Sequence, residues 1–348
     1  MIGGIRNTQK SVLTNRDIIL TFLATILAMH QDAQASLLLW YQANGRHHLP
    51  WRHPLHPYEI LISEMMLQQT QVNTVLERFY YPFLERFPTL ESIARAEESE
   101  ILLAWRGLGY YSRARNLHAL AKSCQQGLPR SVNELERLPG IGAYTARAIA
   151  CFGFRESVAI LDGNIKRILS RFFALLGVGE RELWRRAEEF LNPLAAFDHN
   201  QALLDVGALL CKPKNPLCQE CPLSPWCKGK EDPLRYTPSK TRRYEELELF
   251  YGICIQEGRV AMVQSQERLY KGLWGFVPLL GAPLDSSSLG MIKHGYTKYK
   301  ITAHLYEIVS LPKDSKSSWI PLEELEHLPL SILAHKLWSC FLERSSLK

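Results

Sequence analysis

Between about residues 36 and 227, apolar side chains recur at three- and four-residue intervals, the spacing that lines one face of an α-helix, and strand-like alternation is scarce. Leu61, Met65, Val72 and Leu76 share one such face, and Ile101, Leu102 and Trp105 open another. Ser131 followed by Glu134 has the spacing of a capping box, which predicts a short helix running into Leu138-Pro139-Gly140-Ile141-Gly142. Residues 144–152 read as a second helix, so the glycines form a tight helix-to-helix turn. The apolar run 158–161 leads through Asp162 into an amphipathic stretch, 165–176. Beyond about residue 244 the period changes. Residues 249–255 and 260–263 flank Glu257-Gly258 as a hairpin, 302–309 is a further strand, and 322–342 is mostly helical. The pattern predicts a multi-domain chain: an all-α body followed by a smaller α+β domain.

Composition narrows the class. A chain of 348 residues with 46% hydrophobic content is long enough for two or three packed domains and is neither collagenous nor disordered in bulk. The net charge of +6 permits a polyanionic partner. Much of it is local: Lys228, Lys230, Arg235, Lys240, Arg242 and Arg243 stand against Glu231 and Asp232 in a Pro-containing stretch that reads as a basic linker. Near the start, Arg6, Lys10 and Arg16 precede the apolar run 18–29, and Ala33-Gln34-Ala35 has the form of a leader cleavage site. Asp17 abuts that run and the cysteine usage is of intracellular type, so the segment is expected to be an added N-terminal helix or the product of a mis-set start. The run is too short to span a bilayer.

Cys211, Cys218, Cys221 and Cys227 lie within 17 residues as C-x6-C-x2-C-x5-C. The loop is too short and too rich in proline (Pro213, Pro216, Pro222, Pro225) to fold by burying apolar surface, so metal ligation is expected to hold it. Thiolates suit an iron–sulfur cluster or zinc, and the spacing does not choose between them. Elsewhere, Gly140 and Gly142 put backbone N–H groups at a helix start with no Cβ in the way, which suits a phosphate oxygen and equally an ordinary helix turn. Glu64, Gln68 and Gln71 fall on one helical face. Glu64 is either a surface glutamate or, if buried beside Met65 and Met66, a proton donor. Asp162 is either a helix cap or the second of a carboxylate pair. The segment 105–115 interleaves rings, glycines and arginines, a composition that packs a core or wedges into a base stack.

Five blocks in order, Leu49-Pro50-Trp51-Arg52, 63–72, 107–115, 138–164 and the four cysteines, resemble the adenine DNA glycosylases of MutY type in the helix-hairpin-helix, iron–sulfur family. The resemblance runs from about residue 49 to 227 and weakly beyond. It implies an all-α helix-hairpin-helix glycosylase domain with a cluster loop, plus a C-terminal α+β Nudix-like domain. The expected layout is a 1–35 extension; a helical domain over 36–228, with a six-helix barrel at about 49–156 and a cluster-bearing subdomain from 36–48 and 157–228; a basic linker, 229–245; and a recognition domain, 246–348.

The same resemblance implies that Glu64 protonates adenine, that Asp162 steadies an oxocarbenium-like sugar, and that Tyr144 and Asn164 share their pocket. Tyr144 stands where lyase-type relatives such as endonuclease III carry a Schiff-base lysine, so a monofunctional enzyme is expected. A glycosylase with lyase activity, or a DNA-binding iron–sulfur protein without catalysis, is the alternative. Gln69, Thr70, Leu108 and Tyr110 would lie near an opposing 8-oxoguanine, Trp51 and Arg52 on the adenine side, and the hairpin glycines on the backbone. The cysteines would hold a [4Fe–4S] cluster. Partners implied are double-stranded DNA with A:8-oxoguanine or A:G mispairs, for a monomeric, cytoplasmic, nucleoid-associated bacterial protein with no membrane contact. Two departures stand out: Tyr296-Thr297-Lys298 replaces the family's Phe-Ser-His loop, leaving Thr297 as its hydroxyl, and the C-terminal part lacks the acidic helix of nucleotide-hydrolysing Nudix enzymes.

Overall fold

The structure is a computed structural model describing residues 15–345 except 54–55, 238–243, 268, 284–285, 287 and 297, with side chains described within 28–344. Helices in chain order are α1 (Asn15–Asn44), α2 (Pro57–Leu67), α3 (Val72–Arg78), α4 (Tyr80–Arg86), α5 (Leu90–Arg95), α6 (Glu98–Ala104), α7 (Ser112–Ser123), α8 (Val132–Leu135), α9 (Ala143–Ala148), α10 (Gly163–Phe172), α11 (Glu180–Phe190), α12 (Ala196–Leu209) and α13 (Ile332–Ser345). Strands are β1 (Glu245–Ile253), β2 (Ile255–Gln256), β3 (Arg259–Gln264), β4 (Trp274–Leu279), β5 (Ser288–Tyr296), β6 (Tyr299–Glu307) and β7 (Ser318–Pro321). They group into two compact units, residues 1–55 with 147–239 and residues 56–146 with 240–348. No helix among the described residues is long and apolar enough to cross a membrane.

In the first unit α1 runs unbroken past residue 35, the expected edge of an N-terminal extension. Its Tyr41 hydroxyl donates to Gln201 Oε1 on α12 at 2.6 Å, and Gln34 caps the Phe190 carbonyl at 3.1 Å. Ile165, Ile168, Leu169 and Phe172 make the apolar stripe of α10 and are all buried. The helix is shorter than the amphipathic pattern suggests because Phe173 already leaves helical geometry.

The second unit is built on α2, whose residues Tyr58 to Met66 are almost all buried, as expected for a helix apolar on every side. The face expected to join Leu61 and Met65 to Val72 and Leu76 does not exist as one helix. Gln69 adopts φ 60°, a left-handed conformation that ends α2 and lets α3 start afresh, so Gln71 is not in line with Glu64. Ser131 precedes α8 but its side chain makes no capping bond, whereas boxes form at His56–Glu59 and Thr89–Ser92. The second hairpin helix is α9 followed by a π-helical turn, Ile149–Gly153.

The C-terminal segment is α+β, as expected. Its sheet runs β2-β3-β4-β1-β6-β5 with β7 on β3, antiparallel throughout except for β1 with β6. The expected hairpin closes through Glu257 and Gly258, both with positive φ, the geometry of a type I′ turn. The stretch 322–342 divides into a 3-10 turn, Leu322–His327, and α13.

Candidate functional site

In the second unit, Glu64 lies on α2 between buried Ser63 and Met65 and is itself only 7% exposed. The neighbouring end of α2 leaves carbonyls without helical partners. Arg113 meets them: its Nη1 donates to the carbonyls of Met65 (2.9 Å), Met66 (2.7 Å) and Gln68 (2.6 Å), while Nη2 donates to Thr70 Oγ1 (3.1 Å) and to the carbonyls of Leu108 (3.3 Å) and Gly109 (3.0 Å). One guanidinium thus ties the bend carrying Gln69 and Thr70 to the loop carrying Leu108 and Tyr110. Arg113 is 5% exposed and serves the backbone. Leu108 is buried and Tyr110, at φ 48°, is partly exposed.

The hairpin turn is open to approach. Gly140 has φ +78°, and a Cβ there would lie 2.6 Å from Asn116 Cβ, so glycine is required. A Cβ on Gly142 would meet nothing within 4 Å. Tyr144 is partly buried on α9, beside Thr145, whose hydroxyl accepts from Gln68 Nε2 at 3.2 Å.

In the first unit, Asp162 caps α10, accepting from Ile165 N–H at 2.7 Å, and also accepts from Asn164 Nδ2 at 3.0 Å. Capping and positioning of the carboxylate are therefore the same arrangement. Desolvation pushes the Asp162 pKa above the usual aspartate value, opposed by these hydrogen bonds and by Arg167. Asn164 accepts in turn from Arg167 Nη2 at 2.8 Å, and Arg167 donates to the carbonyls of Gly207 (2.8 Å) and Cys211 (2.6 Å). A polar chain therefore runs from Asp162 to the first cysteine. Gly207 has no room for a side chain, since a Cβ there would stand 2.5 Å from Asn164 Cβ.

Trp51 and Arg52 lie on a 3-10 turn, Pro50–Arg52, both buried. Arg52 Nη2 and Arg46 Nε reach Asp205 Oδ1 at 2.7 and 2.8 Å, and Arg46 N–H reaches its Oδ2 at 2.8 Å. Asp205, fully buried on α12, went unremarked in sequence although it is the lone charge in Leu203-Leu204-Asp205-Val206.

Cys211, Cys218, Cys221 and Cys227 all line one pocket, walled by Ile168, Phe172, Val206 and Leu210. Backbone N–H groups of Leu223 and Gly229 face Cys221 and Cys227, and Arg171 Nη1 donates to Cys211 Sγ at 3.2 Å. Arg171 also binds the carbonyls of Lys212, Pro213 and Pro233, so a buried guanidinium shares in shaping the loop. Four thiols around one apolar-walled pocket are a donor set that suits an iron–sulfur cluster.

The structure thus gathers Gln69, Thr70, Leu108 and Tyr110 in one unit and Asp162, Asn164 and the cysteines in the other, with Glu64 and Tyr144 in the former and Trp51 and Arg52 in the latter. Thr297 lies outside the described residues, as do Lys240, Arg242 and Arg243 of the basic stretch.

Residues 62–193 match the family described as HhH-GPD superfamily base excision DNA repair protein, and residues 211–227, which begin and end on Cys211 and Cys227, match the iron-sulfur binding domain of endonuclease III. The chain is 44% identical over 201 residues to the adenine DNA glycosylase of Buchnera aphidicola subsp. Baizongia pistaciae, covering 56% of this chain and 57% of that protein. It is 35% identical over 253 residues to the adenine DNA glycosylase of Buchnera aphidicola subsp. Schizaphis graminum, covering 69% and 73%. Among solved structures, a thermostable thymine-DNA glycosylase is similar at 29% identity and TM-score 0.55, over 59% of this chain and 98% of that one.

Proposed function

The chain belongs to the adenine DNA glycosylase family, and from that premise we propose that it is a monofunctional glycosylase that excises adenine mispaired with 8-oxoguanine or guanine in double-stranded DNA. The observation that carries this reading is the burial of Glu64 on an apolar helix, beside Met65 and Met66 and out of bulk water.

The reaction asks the chain for two charges in sequence. Glu64 gives its proton to adenine N7, so that the bonding pair of the N-glycosidic bond leaves with a neutral base. Asp162, held in place by Ile165 N–H and Asn164, faces as a carboxylate the positive charge that grows on the sugar, and water then adds at C1′. A positioned proton donor contributes about 10²–10⁴-fold. Tyr144 lies beside the sugar, and with no lysine in that place there is no amine for a Schiff base. The target base is stacked in a duplex, so it is flipped out first, at a cost of a few kcal/mol that is smallest at a mispair. Trp51 and Arg52 line the adenine side; Gln69, Thr70, Leu108 and Tyr110 meet the opposing base; Gly140 and Gly142 take the phosphate backbone. A Nudix-like domain over 246–348, through Thr297, recognises 8-oxoguanine. Cys211, Cys218, Cys221 and Cys227 hold the [4Fe–4S] cluster, which supplies a rigid loop rather than a reacting group. The protein acts as a monomer at the bacterial nucleoid, in a layout of barrel (49–156), cluster-bearing subdomain (36–48 and 157–228), linker (229–245) and recognition domain.

The test is a duplex with one adenine opposite 8-oxoguanine, read for strand breaks before and after alkali. Breaks only after alkali are expected. Breaks before alkali indicate lyase chemistry, and intact strands overturn the reading.

A further inference from the structure

Within the second unit, the loop between α6 and α7 is clasped by the C-terminal segment. Arg106 Nη1 donates to the Glu326 carbonyl and Arg115 Nη1 to the Lys271 carbonyl. Between them, Tyr111 is 2% exposed and its hydroxyl has two partners: it accepts from Gly107 N–H at 3.3 Å and donates to the Leu330 carbonyl at 3.4 Å. Both distances are at the long end for hydrogen bonds.

Each end of this relay leads somewhere. Leu330 is paired with Trp274 at the start of β4, and Ser331 N–H donates to the Trp274 carbonyl at 3.1 Å, so the Leu330 carbonyl is fixed by the sheet. Lys271 follows Tyr270, which sits at φ 63° with its ring 5.0 Å from that of Tyr296, the last residue of β5 and the neighbour of Thr297. At the other end, Gly107 at φ +94° precedes Leu108, and Tyr110 is held left-handed. A non-glycine residue in that region is strained and persists only where its surroundings over-determine it. Arg113, Trp105 Nε1 on the Gly109 carbonyl at 3.2 Å, and the Tyr111 hydroxyl are those surroundings.

We propose that Tyr111 is a positioning residue that makes the geometry of the Leu108–Tyr110 loop depend on how the C-terminal segment is seated, and so sets the preference for 8-oxoguanine over guanine opposite adenine. This rests on the function proposed above. The loop that touches the opposing base and the C-terminal segment are joined through the Tyr111 hydroxyl, flanked by the Arg106 and Arg115 contacts, so engagement of one stabilises the other.

The test uses the full chain as wild type, Tyr111→Phe, and a double variant Arg106→Gln/Arg115→Gln. Single-turnover rates are measured on A:8-oxoguanine and A:G duplexes, and amide exchange is followed in 105–111 and 328–332 without DNA. Tyr111→Phe is expected to lower the 8-oxoguanine over guanine rate ratio about fivefold, the worth of one neutral hydrogen bond, and to speed exchange in both segments. The double variant, whose side chains are only partly buried, is expected to move the ratio the same way by less and stands in if Tyr111→Phe does not fold. An unchanged ratio, or equal loss on both duplexes, overturns the role of Tyr111. A wild-type chain that releases no adenine overturns the preceding reading instead, and unchanged exchange in both segments then overturns this one as well.

Discussion

Glu64 and Asp162 lie in separate compact units and are held in place by opposite means. Around Glu64 the work is done by packing: Ile60, Leu61, Ile62, Met65 and Met66 on the same helix are each at most 1% exposed, and the α2 end is fixed by Arg113 through backbone carbonyls. Asp162 is held by directional contacts, a backbone N–H, an amide and, one step away, a guanidinium that also grips the Cys211 carbonyl. Packing thus fixes the first carboxyl and directional hydrogen bonds fix the second, and only the second is wired to the cysteine loop.

The comparison breaks most visibly if the acid is removed. Glu64→Gln keeps the shape of α2 and deletes the proton donor, so base release should fall by about 10²–10⁴-fold while duplex affinity by gel shift is retained; a rate near wild type would assign the proton to another group. Next in size is Arg167→Gln. Loss of a buried, charged hydrogen-bond partner typically costs about 1.5–3 kcal/mol, or roughly 10–100-fold, and single-turnover kinetics should show it as a slower chemical step. The same substitution on the other carboxylate's side has no counterpart, so an equal effect of Arg167→Gln on duplex affinity and on rate would argue that the chain of contacts is merely structural.

The smallest effect sharpens the contrast. The Asp162 pKa is raised by desolvation, and Arg167 opposes that rise. Activity needs the carboxylate, so it should be lost as pH falls through this raised value, a limb lying above the ordinary aspartate range. Removing Arg167 takes away a depressing influence, so the limb should move to higher pH, by less than the same variant's loss of rate at neutral pH. A pH–rate profile that keeps its acid limb in place in Arg167→Gln would detach Asp162 from that limb.

Legibility in sequence followed the distance over which each feature is decided. The cysteine loop, the Asp162 cap with Asn164 two residues on, and the Glu257-Gly258 turn are local, and each is found where the sequence puts it. Arg113 and Asp205 are decided by partners far along the chain: Arg113 Nη1 binds carbonyls on a helix some 45 residues earlier, and Asp205 binds arginines on a turn more than 150 residues away. Nothing in their own neighbourhood distinguishes them from surface charges except, for Asp205, an apolar run too uniform to tolerate an unpaired charge. The break at Gln69 escaped notice because left-handed glutamine has no sequence signature, and β5 because its alternation is blurred by Gly290, His294 and Gly295. The hairpin around Ser131 shows the reverse: a correct helix start inferred from a capping bond that is not made.

Gly207 has a consequence in mutational tolerance. Its α-carbon faces Asn164 so closely that even one methyl group would displace the amide that orients Asp162. Alleles at this glycine should therefore group with lesions of the aspartate in a mutator screen, although the position bears no side-chain functional group and would score as a mild, conservative replacement by chemistry alone.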